Sequence, residues 1–423
     1  MESERALNGS TDSQMIWMCR PTRYWGSSGH SADLSVIPLM THCGHSGREL
    51  DSSNVGIAIH RGLGMIAARP PWWTWTWPAL AWLILLMTAF LGVGGLIASV
   101  AVVTLLGSVF AAVHHAEVVA HRVGEPFGTL VLALAVTVIE TALIVSVMIA
   151  APVEKAGLAR DTVFAAVMIV CNGIVGSCLL WGGARHHEQG FQIQGASAAL
   201  AVLTALTGLA LILPNYAASG LGPLYSTPQL VFAGLVSLVL YGSFVFIQTM
   251  RHRDYFLPVQ TDDEETHAPP PPNRLAALSA GLLLVSLAAV VGLAKILTPT
   301  VEFAIAYLGV PKAVVGIIIA ALVLLPEGLA AVRAARNNRL QTSLNLALGS
   351  VLATIGLTIP AVAAVSIVLR QPLELGLDAK DQVLLALTLL LGVITLGTGR
   401  TTVLQGIVHL VIFTVFLFFA VVP

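Results

Sequence analysis

Eleven stretches of this 423-residue chain are apolar and close to bilayer length, and this pattern constrains the fold more than any other feature. A spanning helix needs roughly 20 predominantly apolar residues. Inside lipid, every backbone polar group must also be paired within the protein. We therefore predict an all-α, polytopic membrane protein. The predicted helices cover residues 79–95, 97–114, 127–151, 161–181, 196–213, 228–249, 275–297, 312–332, 342–368, 382–397 and 402–422.

The first two stretches are separated only by a segment that contains Gly92, Gly94 and Gly95. If they formed one helix, the chain would have ten spans, and one end would be reversed relative to the other.

Composition agrees with a membrane protein, because 56% of the residues are hydrophobic and only 10% are charged. The mean hydropathy is +0.86, and a chain with this many apolar residues cannot bury them all beneath a soluble surface. The net charge of -1 argues against a nucleic-acid partner, since phosphate binding needs clustered basic residues. Cys171 and Cys178 lie too far apart along one helix for a disulfide and are interpreted as small packing residues.

Basic residues in the short loops predict the orientation of the chain. With a cytoplasmic N-terminus and eleven helices, nine basic residues face inside and five or six face outside, which places the C-terminus outside. The inside set is Arg122, Arg185, Arg251, Arg253, Arg274, Arg333, Arg336, Arg339 and Arg400. The outside set is Lys155, Arg160, Lys312, Arg370 and Lys380, with Lys295 near a helix end.

Two segments do not belong to the apolar pattern. Residues 1–68 are polar and rich in Gly and Ser, and we predict a disordered extension, with Met65 as a candidate start of the protein. The spacing of His42, Cys43 and His45 within it matches no compact zinc site. Residues 250–274 are acidic and proline-rich, which is typical of a solvated cytoplasmic linker; a cation- or pH-sensing segment is the alternative.

Glu140 and Glu327 lie deep within apolar stretches. An ionisable group at membrane depth costs roughly 2.5–3.5 kcal/mol on insertion scales, so it indicates an ion or proton site more often than a packing role. Proline at position 326 directly precedes the second glutamate and removes one helical hydrogen bond there.

The two glutamates mark an internal repeat. Gly128 lies twelve residues before Glu140, and Gly316 lies eleven residues before Glu327. The two glutamate-bearing helices are the third and the eighth, an odd offset of five, so the equivalent helices run in opposite directions. We predict two inverted-topology five-helix repeats, within residues 79–249 and 275–423, plus one extra N-terminal helix. This is the architecture of secondary transporters, whose site lies at the midplane between the halves.

Further polar residues are candidates for the same cation and proton site. Thr137 lies one helical turn before Glu140, and the helices that follow the two glutamates offer the oxygens of Asn172, Asn345, Ser350 and Thr354. The alternative is that these side chains only join helices to one another. Small residues on the same helices favour close packing, namely Gly173, Gly176, Gly349 and Gly356.

His114, Glu117 and His121 share one helical face, at spacings of three and four residues. They are candidates for a proton-access path, and an ordinary interfacial polar face is the alternative. His409 has no acidic companion nearby in the sequence and is predicted to be a hydrogen-bonded core histidine.

Several long motifs resemble those of the ChaA-type bacterial cation/proton antiporters, within the calcium/cation antiporter superfamily. The motifs, in chain order, are HHAEVVAHRVGEP from His114, GEPFGTLVLALAVTVIETALIVSVM from Gly124, PEGLAAVRAARNN from Pro326 and NLALGSVLATIGLTIP from Asn345. The resemblance covers about residues 79–423. It implies a bacterial inner-membrane protein that exchanges Ca²⁺, and in some members Na⁺ or K⁺, for protons, with Glu140 and Glu327 binding the transported ion.

One departure bears on the choice of ion. Calcium exchangers of the wider superfamily commonly carry Gly-Asn just before the acidic residue, whereas Thr137 and Leu324 stand three residues before the two glutamates here. Ca²⁺ prefers six to eight oxygen ligands. An antiporter for Na⁺ and K⁺ with little Ca²⁺ transport is therefore the alternative.

Competition between ions gives the expected mechanism. Burial disfavours the charged form of a carboxylate, so an empty site holds protons and an arriving cation expels them. Rocking of the repeats exposes the site to one side at a time. The rivals are a cation channel and an intramembrane enzyme; the chain contains no HExxH or GxSxG motif, and we expect neither enzymatic activity nor a bound cofactor. The sequence indicates no oligomeric state.

Overall fold

Every predicted apolar stretch is helical in the computed structural model, which describes residues 71–92, 94–124, 127–150, 156–217, 223–257, 271–309, 311 and 313–422. The helices are α1 (Trp73–Leu91), α2 (Gly95–Val123), α3 (Phe127–Ala150), α4 (Leu158–His186), α5 (Ile193–Asn215), α6 (Thr227–Arg251), α7 (Asn273–Leu308), α8 (Ala313–Arg336), α9 (Leu340–Leu369), α10 (Ala379–Leu396) and α11 (Val403–Val421). In the described part of the chain, ten are long and apolar enough to cross a membrane, and α3 adds the shorter apolar run Val131–Ser146. The prediction of an all-α, multi-pass membrane protein is confirmed.

The first two helices are separate, as the eleven-helix count requires. Gly92 ends α1 with a φ of 74°, a conformation that glycine adopts without strain. The two helices then pack face to face, because the ring of Trp77 lies directly on Gly107. The hydroxyl of Ser108 also donates to the carbonyl oxygen of Trp77 at 3.3 Å.

Two helices are longer than predicted. α2 continues to Val123 through the polar run after residue 114, and α7 continues to Leu308 through Pro299. Hydropathy detects only the lipid-compatible part of a helix, so the polar turns at the end of α2 are missed. The extension of α7 is mostly apolar and lies beyond Pro299, which this helix accommodates without ending.

Two backbone pairings between loops reflect the inverted repeat. Strand β1 (Gln189–Gly190), after α4, pairs antiparallel with strand β2 (Arg400–Thr401), before α11. Leu224, before α6, bridges Glu374, after α9, in the same antiparallel sense. Because α4 corresponds to α9 and α6 to α11, each pairing is the counterpart of the other at the opposite end of the bundle.

Helix starts and helix contacts repeat in the same way. α6 and α11 each begin with a capping box, in which the amide of Ser226 or Thr402 donates to a glutamine side chain three residues later. Gly176 of α4 packs against His409 of α11, and Gly356 of α9 packs against Tyr241 of α6. These matches support the predicted pair of inverted repeats.

Widened turns interrupt both helices that follow the glutamate-bearing helices. α4 contains a π-helical segment at Ile169–Ile174, and α9 contains one at Thr354–Thr358. Such segments occur frequently at functional sites, because they change which side chains face a neighbouring helix.

The buried apolar residues form two main clusters that do not coincide with the two repeats. One cluster joins α1, α2 and α7 with parts of α3 and α8. The other joins α4, α5, α6, α9, α10 and α11 with the remaining parts of α3 and α8. The two glutamate-bearing helices therefore lie at the junction of two separately packed cores.

Three expectations lie outside the described residues. They concern the extension 1–68 with Met65, the cluster of His42, Cys43 and His45, and the acidic stretch 262–265 of the linker.

Candidate functional site

Glu140 of α3 forms a buried hydrogen bond to the opposite repeat. Its side chain is 2% exposed, and its Oε2 accepts a hydrogen bond from Thr354 Oγ1 of α9 at 2.8 Å. A second contact between α3 and α9 lies beside this one, where the hydroxyl oxygens of Thr141 and Thr358 are 3.3 Å apart. Because both threonines of α9 lie in its π-helical segment, the widened turn presents them to α3.

Glu327 of α8 is buried without such a donor. Its side chain is 6% exposed, and neither carboxylate oxygen accepts a hydrogen bond from any residue in the described part of the chain. The negative charges of Glu117 and Glu140 also act on it. A buried, ionised carboxylate in such surroundings is costly, so a proton or a bound cation stabilises it.

A cavity of about 350 Å³ extends from Glu327 to the surface. Its wall also includes residues of α3, α6 and α9 and the exposed side chains of Arg253 and Leu257. The α3 and α9 positions lie between 132 and 137 and between 342 and 353, so both belong to the first half of their helices. The cavity therefore opens at the end of the bundle where α3 and α9 begin. A cavity of this size with polar groups has room for water and hydrated ions.

The two glutamates differ in access from this cavity. Glu327 is part of its wall, whereas Glu140 lies behind the wall, bonded to Thr354. The difference follows from the inverted repeat, because each glutamate lies just beyond the middle of a helix and the two helices run in opposite directions. Glu327 is displaced towards the open end, and Glu140 towards the closed end.

Three more of the predicted cation-site residues line the cavity: Thr137, Asn345 and Ser350. The Thr137 hydroxyl donates to the carbonyl oxygen of Ala133 at 2.8 Å, which leaves its own oxygen free to accept. The Asn345 carboxamide accepts from Gln341 at 2.9 Å and donates to the carbonyl oxygen of Phe256, so its orientation is fixed.

The structure does not bring Asn172 to this group. Its Nδ2 donates to Thr388 Oγ1 at 2.8 Å, and its Oδ1 lies 3.1 Å from Nδ1 of His409. All three side chains are buried, and Nε2 of the histidine is 3.1 Å from Thr395 Oγ1. The carboxamide thus joins α4 to α10 and α11, and the histidine is the hydrogen-bonded core residue that the sequence predicted.

The small residues serve two different purposes. Gly173 and Gly176 allow α11 to approach α4, and Gly356 allows α6 to approach α9, as predicted. Gly349 differs, because a Cβ added there would meet no atom within 4 Å. It forms part of the cavity wall and leaves that wall open.

Among the described residues, no three His, Cys, Asp or Glu side chains are grouped so as to hold a metal ion.

Comparison with known proteins assigns the family. The profile described as sodium/calcium exchanger protein matches residues 91–250 and 278–422. The chain belongs to the sodium/calcium exchanger protein family. The matched ranges cover both repeats and both glutamates, and the resemblance noted in the sequence is confirmed.

Two curated relatives support this assignment, and one solved structure shares the fold. The protein y4hA of Sinorhizobium fredii is 51% identical over 369 residues, which is 84% of this chain and 98% of that protein. The sodium-potassium/proton antiporter ChaA of Escherichia coli is 36% identical over 320 residues, which is 75% of this chain and 86% of that protein. The solved structure of native YfkE has the same fold, with a TM-score of 0.64 at 17% identity, and covers 83% of this chain and 100% of that chain.

The three predicted proton-access residues do not share one environment. The ring of His114 packs on Trp73 of α1, with ring centroids 5.3 Å apart, and His121 is exposed. Only Glu117 lies where its charge acts on Glu327, and it also interacts with Arg333 of α8. The neighbouring His115, which belongs to no predicted site, is buried with its Nε2 3.1 Å from the carbonyl oxygen of Thr74.

The contribution of α6 to the cavity is not predicted by the sequence pattern. Gln248, Thr249 and Arg253 line it, although α6 carries no acidic residue to mark it as part of a site. The sequence feature that indicates this contribution is the cluster of polar and basic residues after position 247, whose arginines also bear on the orientation of the chain.

Proposed function

We propose that this protein exchanges cations for protons across a bacterial inner membrane and that Glu140 and Glu327 bind the exchanged ions. The observation that carries the proposal is the pair of buried carboxylates on equivalent helices of the inverted repeat. Glu140 accepts a hydrogen bond from Thr354 of the opposite repeat, and Glu327 lines a cavity. The ChaA relative, a sodium-potassium/proton antiporter, supports the same class of activity.

Competition between the cation and the proton couples the two fluxes. Glu327 without a cation carries a proton, because no described group donates to its oxygens. A cation that enters the cavity stabilises the ionised carboxylate and releases the proton. Since both ligands use the same oxygens, they do not bind together, and each transport cycle exchanges one for the other.

The basic residues of the short loops support an N-terminus in the cytoplasm. In that orientation, α3 and α9 begin on the cytoplasmic side, so the cavity faces the cytoplasm. Glu327 then receives the cytoplasmic cation first. Glu140, nearer the other side, is reached when the closed half of the site opens outward.

Sodium and potassium ions are the favoured cargo, and Ca²⁺ is the second candidate. Among the described residues that line the cavity, Glu327 alone supplies a carboxylate, and the other side-chain oxygens of the wall belong to hydroxyl and amide groups. Ca²⁺ favours six to eight oxygens and several negative charges, whereas a monovalent ion needs less charge compensation. The ChaA relative, a sodium-potassium/proton antiporter, supports the same preference for monovalent ions.

Vesicles that contain the purified protein and a pH-sensitive dye provide the test. Addition of Na⁺, K⁺ or Ca²⁺ should release protons in a saturable manner, whereas a channel would give an ohmic current. Glu140→Gln and Glu327→Gln should each abolish the release without loss of thermal stability, because the amide keeps the shape but removes the titratable charge. The double variant should be no worse than either single one.

Glu117→Gln is the matched control, because it removes a carboxylate that acts on Glu327 only through its charge. It should slow the exchange without abolishing it. Wild-type exchange in either Glu140→Gln or Glu327→Gln would overturn the proposal.

A further inference from the structure

Arg253 is one of two charged side chains among the described residues that line the cavity, and Glu327 is the other. The wall of the cation path therefore carries one positive and one negative formal charge. A path for cations is expected to have an excess of negative charge, since such a field raises the local cation concentration. The guanidinium at the mouth acts in the opposite direction on every cation that enters.

The backbone holds Arg253 at this position. It begins the short 3₁₀ helix Arg253–Phe256, which follows the π-helical end of α6. Phe256 is 7% exposed and packs edge-on against Phe244 at a centroid distance of 5.7 Å, and its carbonyl oxygen accepts a hydrogen bond from Asn345. The carbonyl oxygen of Tyr255 lies so close to Gly195 that a side chain there would clash. The segment is thus anchored to α5, α6 and α9.

No carboxylate in the described part of the chain lies within ion-pair distance of the Arg253 guanidinium. The neighbouring Asp254 is exposed. The positive charge therefore acts on the cavity without compensation by a described acidic side chain.

We propose that Arg253 is a specificity-determining residue that favours monovalent over divalent cations. The proposal rests on the cation/proton exchange proposed above and adds a cause for its ion preference. Coulomb repulsion is proportional to the charge of the ion, so a guanidinium repels Ca²⁺ twice as strongly as Na⁺ at the same position. The two ions have nearly equal radii, and the comparison therefore isolates charge from size.

The ratio of the two apparent affinities gives a sharp signature. If removal of the guanidinium charge strengthens Na⁺ binding by a certain factor, it strengthens Ca²⁺ binding by the square of that factor. The proton competes with both ions at the same carboxylate, so its effect cancels in the ratio. For a charge several ångströms from the ion at an intermediate dielectric constant, the Ca²⁺ to Na⁺ ratio should rise about fivefold.

The experiment measures proton release from vesicles as a function of Na⁺ and of Ca²⁺ concentration at one pH. Arg253→Gln and Arg253→Met remove the charge, and both should raise the affinity ratio about fivefold. Arg253→Lys keeps the charge and should leave the ratio near the wild-type value. Arg253→Glu reverses the charge and should raise the ratio further than either neutral variant.

Arg251→Gln is the matched control, because this exposed arginine lies two residues away and does not line the cavity. It should leave the ratio unchanged. Higher ionic strength screens the guanidinium charge, so it should reduce the difference in affinity ratio between wild type and Arg253→Gln. The ionic strength is set with a large organic cation that does not enter the cavity.

Three outcomes would overturn the inference: an unchanged ratio in both neutral variants, an equal gain for both ions, or the same shift in Arg251→Gln. Failure of the exchange itself is separate, because wild-type protein would then release no protons with any cation. Thermal stability of each variant, measured in detergent, identifies any change that comes from misfolding.

Discussion

At the scale of single residues, the two glutamates differ in the hydrogen bonds that their carboxylates accept. Glu140 accepts a hydrogen bond from Thr354, whereas neither oxygen of Glu327 accepts one from a described residue. A hydrogen bond to an ionised group contributes about 1.5–3 kcal/mol, so Thr354 favours the charged form of its partner. Glu327 has no such hydrogen bond from a described residue. In the proposed exchange, Glu140 is therefore a preformed half of the ion site, and Glu327 is a half that the arriving ion completes.

Thr354→Val tests this difference. Valine keeps the shape of threonine but cannot donate, so ionised Glu140 loses about 1.5–3 kcal/mol of stabilisation. We expect the apparent cation affinity to fall about tenfold or more, since 1.4 kcal/mol corresponds to a factor of ten. The measurement is proton release as a function of cation concentration at fixed pH. Thr354→Ser keeps the hydroxyl and should retain most of the affinity; an equal loss in both variants would show that packing, not donation, is the contribution of Thr354.

The site could be predicted from sequence where a residue is exceptional for its surroundings. Glu140 and Glu327 stand out because a carboxylate at membrane depth is costly. The position of Asn172 on a helix that follows a glutamate predicts a place in the site, but helix membership does not determine which neighbour a side chain faces. Its carboxamide turns to His409 and Thr388, since the widened turn at Ile169–Ile174 alters the helical phase. Arg253 was missed because only the packing of α6 places it at the cavity.

At the scale of helices, close approach at small residues determines how α11 packs against α4 and how α6 packs against α9. The existence and order of the eleven helices follow from hydropathy, because lipid leaves helices as the only spanning element of an α-protein. The π-helical segments of α4 and α9 do not follow from it. A widened turn adds one residue to a turn without changing hydropathy, and contacts with neighbouring helices decide where it forms.

Gly356→Ala tests the contact between α9 and α6. An added Cβ would clash with the Cβ and ring of Tyr241, and overpacking of this kind costs about 1–3 kcal/mol. That cost exceeds the roughly 0.5–1 kcal/mol that alanine contributes over glycine in a helix. We expect a lower melting temperature in detergent. Gly349→Ala on the same helix meets no atom within 4 Å and should melt at the wild-type temperature or slightly above, so a loss of stability in both variants would contradict the packing argument.

At the scale of the whole molecule, the packed cores and the sequence repeats divide the chain differently. The repeats pair α2–α6 with α7–α11, but one core combines α1 and α2 with α7, and the other combines α4–α6 with α9–α11. Packed cores move as units, because close packing resists continuous deformation. We therefore expect the core of α1, α2 and α7 to move against the other core, instead of one repeat rocking against its partner. Helices α3 and α8, which carry the glutamates, lie where that movement is absorbed.

Outward opening requires the closed half of the site to separate. The contact between Thr141 of α3 and Thr358 of α9, at 3.3 Å, lies beyond Glu140 on the side away from the cavity. A disulfide between Thr141→Cys and Thr358→Cys, in a protein whose four native cysteines are replaced, should hold this half closed. We expect cross-linking to abolish cation-driven proton release and a reductant to restore it, both measured on the same vesicles.

The matched control is a second cysteine pair inside one core, Gly190→Cys with Arg400→Cys, at paired positions of β1 and β2. Both strands connect helices of the same cluster, so their cross-link should leave exchange near the wild-type rate. Full activity in the oxidised Thr141→Cys/Thr358→Cys protein would mean that α3 and α9 stay together while the site changes sides. Glu140 would then have to reach the outside by a path that does not pass between these helices, and the cavity beside Glu327 would be a permanent entrance instead of one of two alternating states.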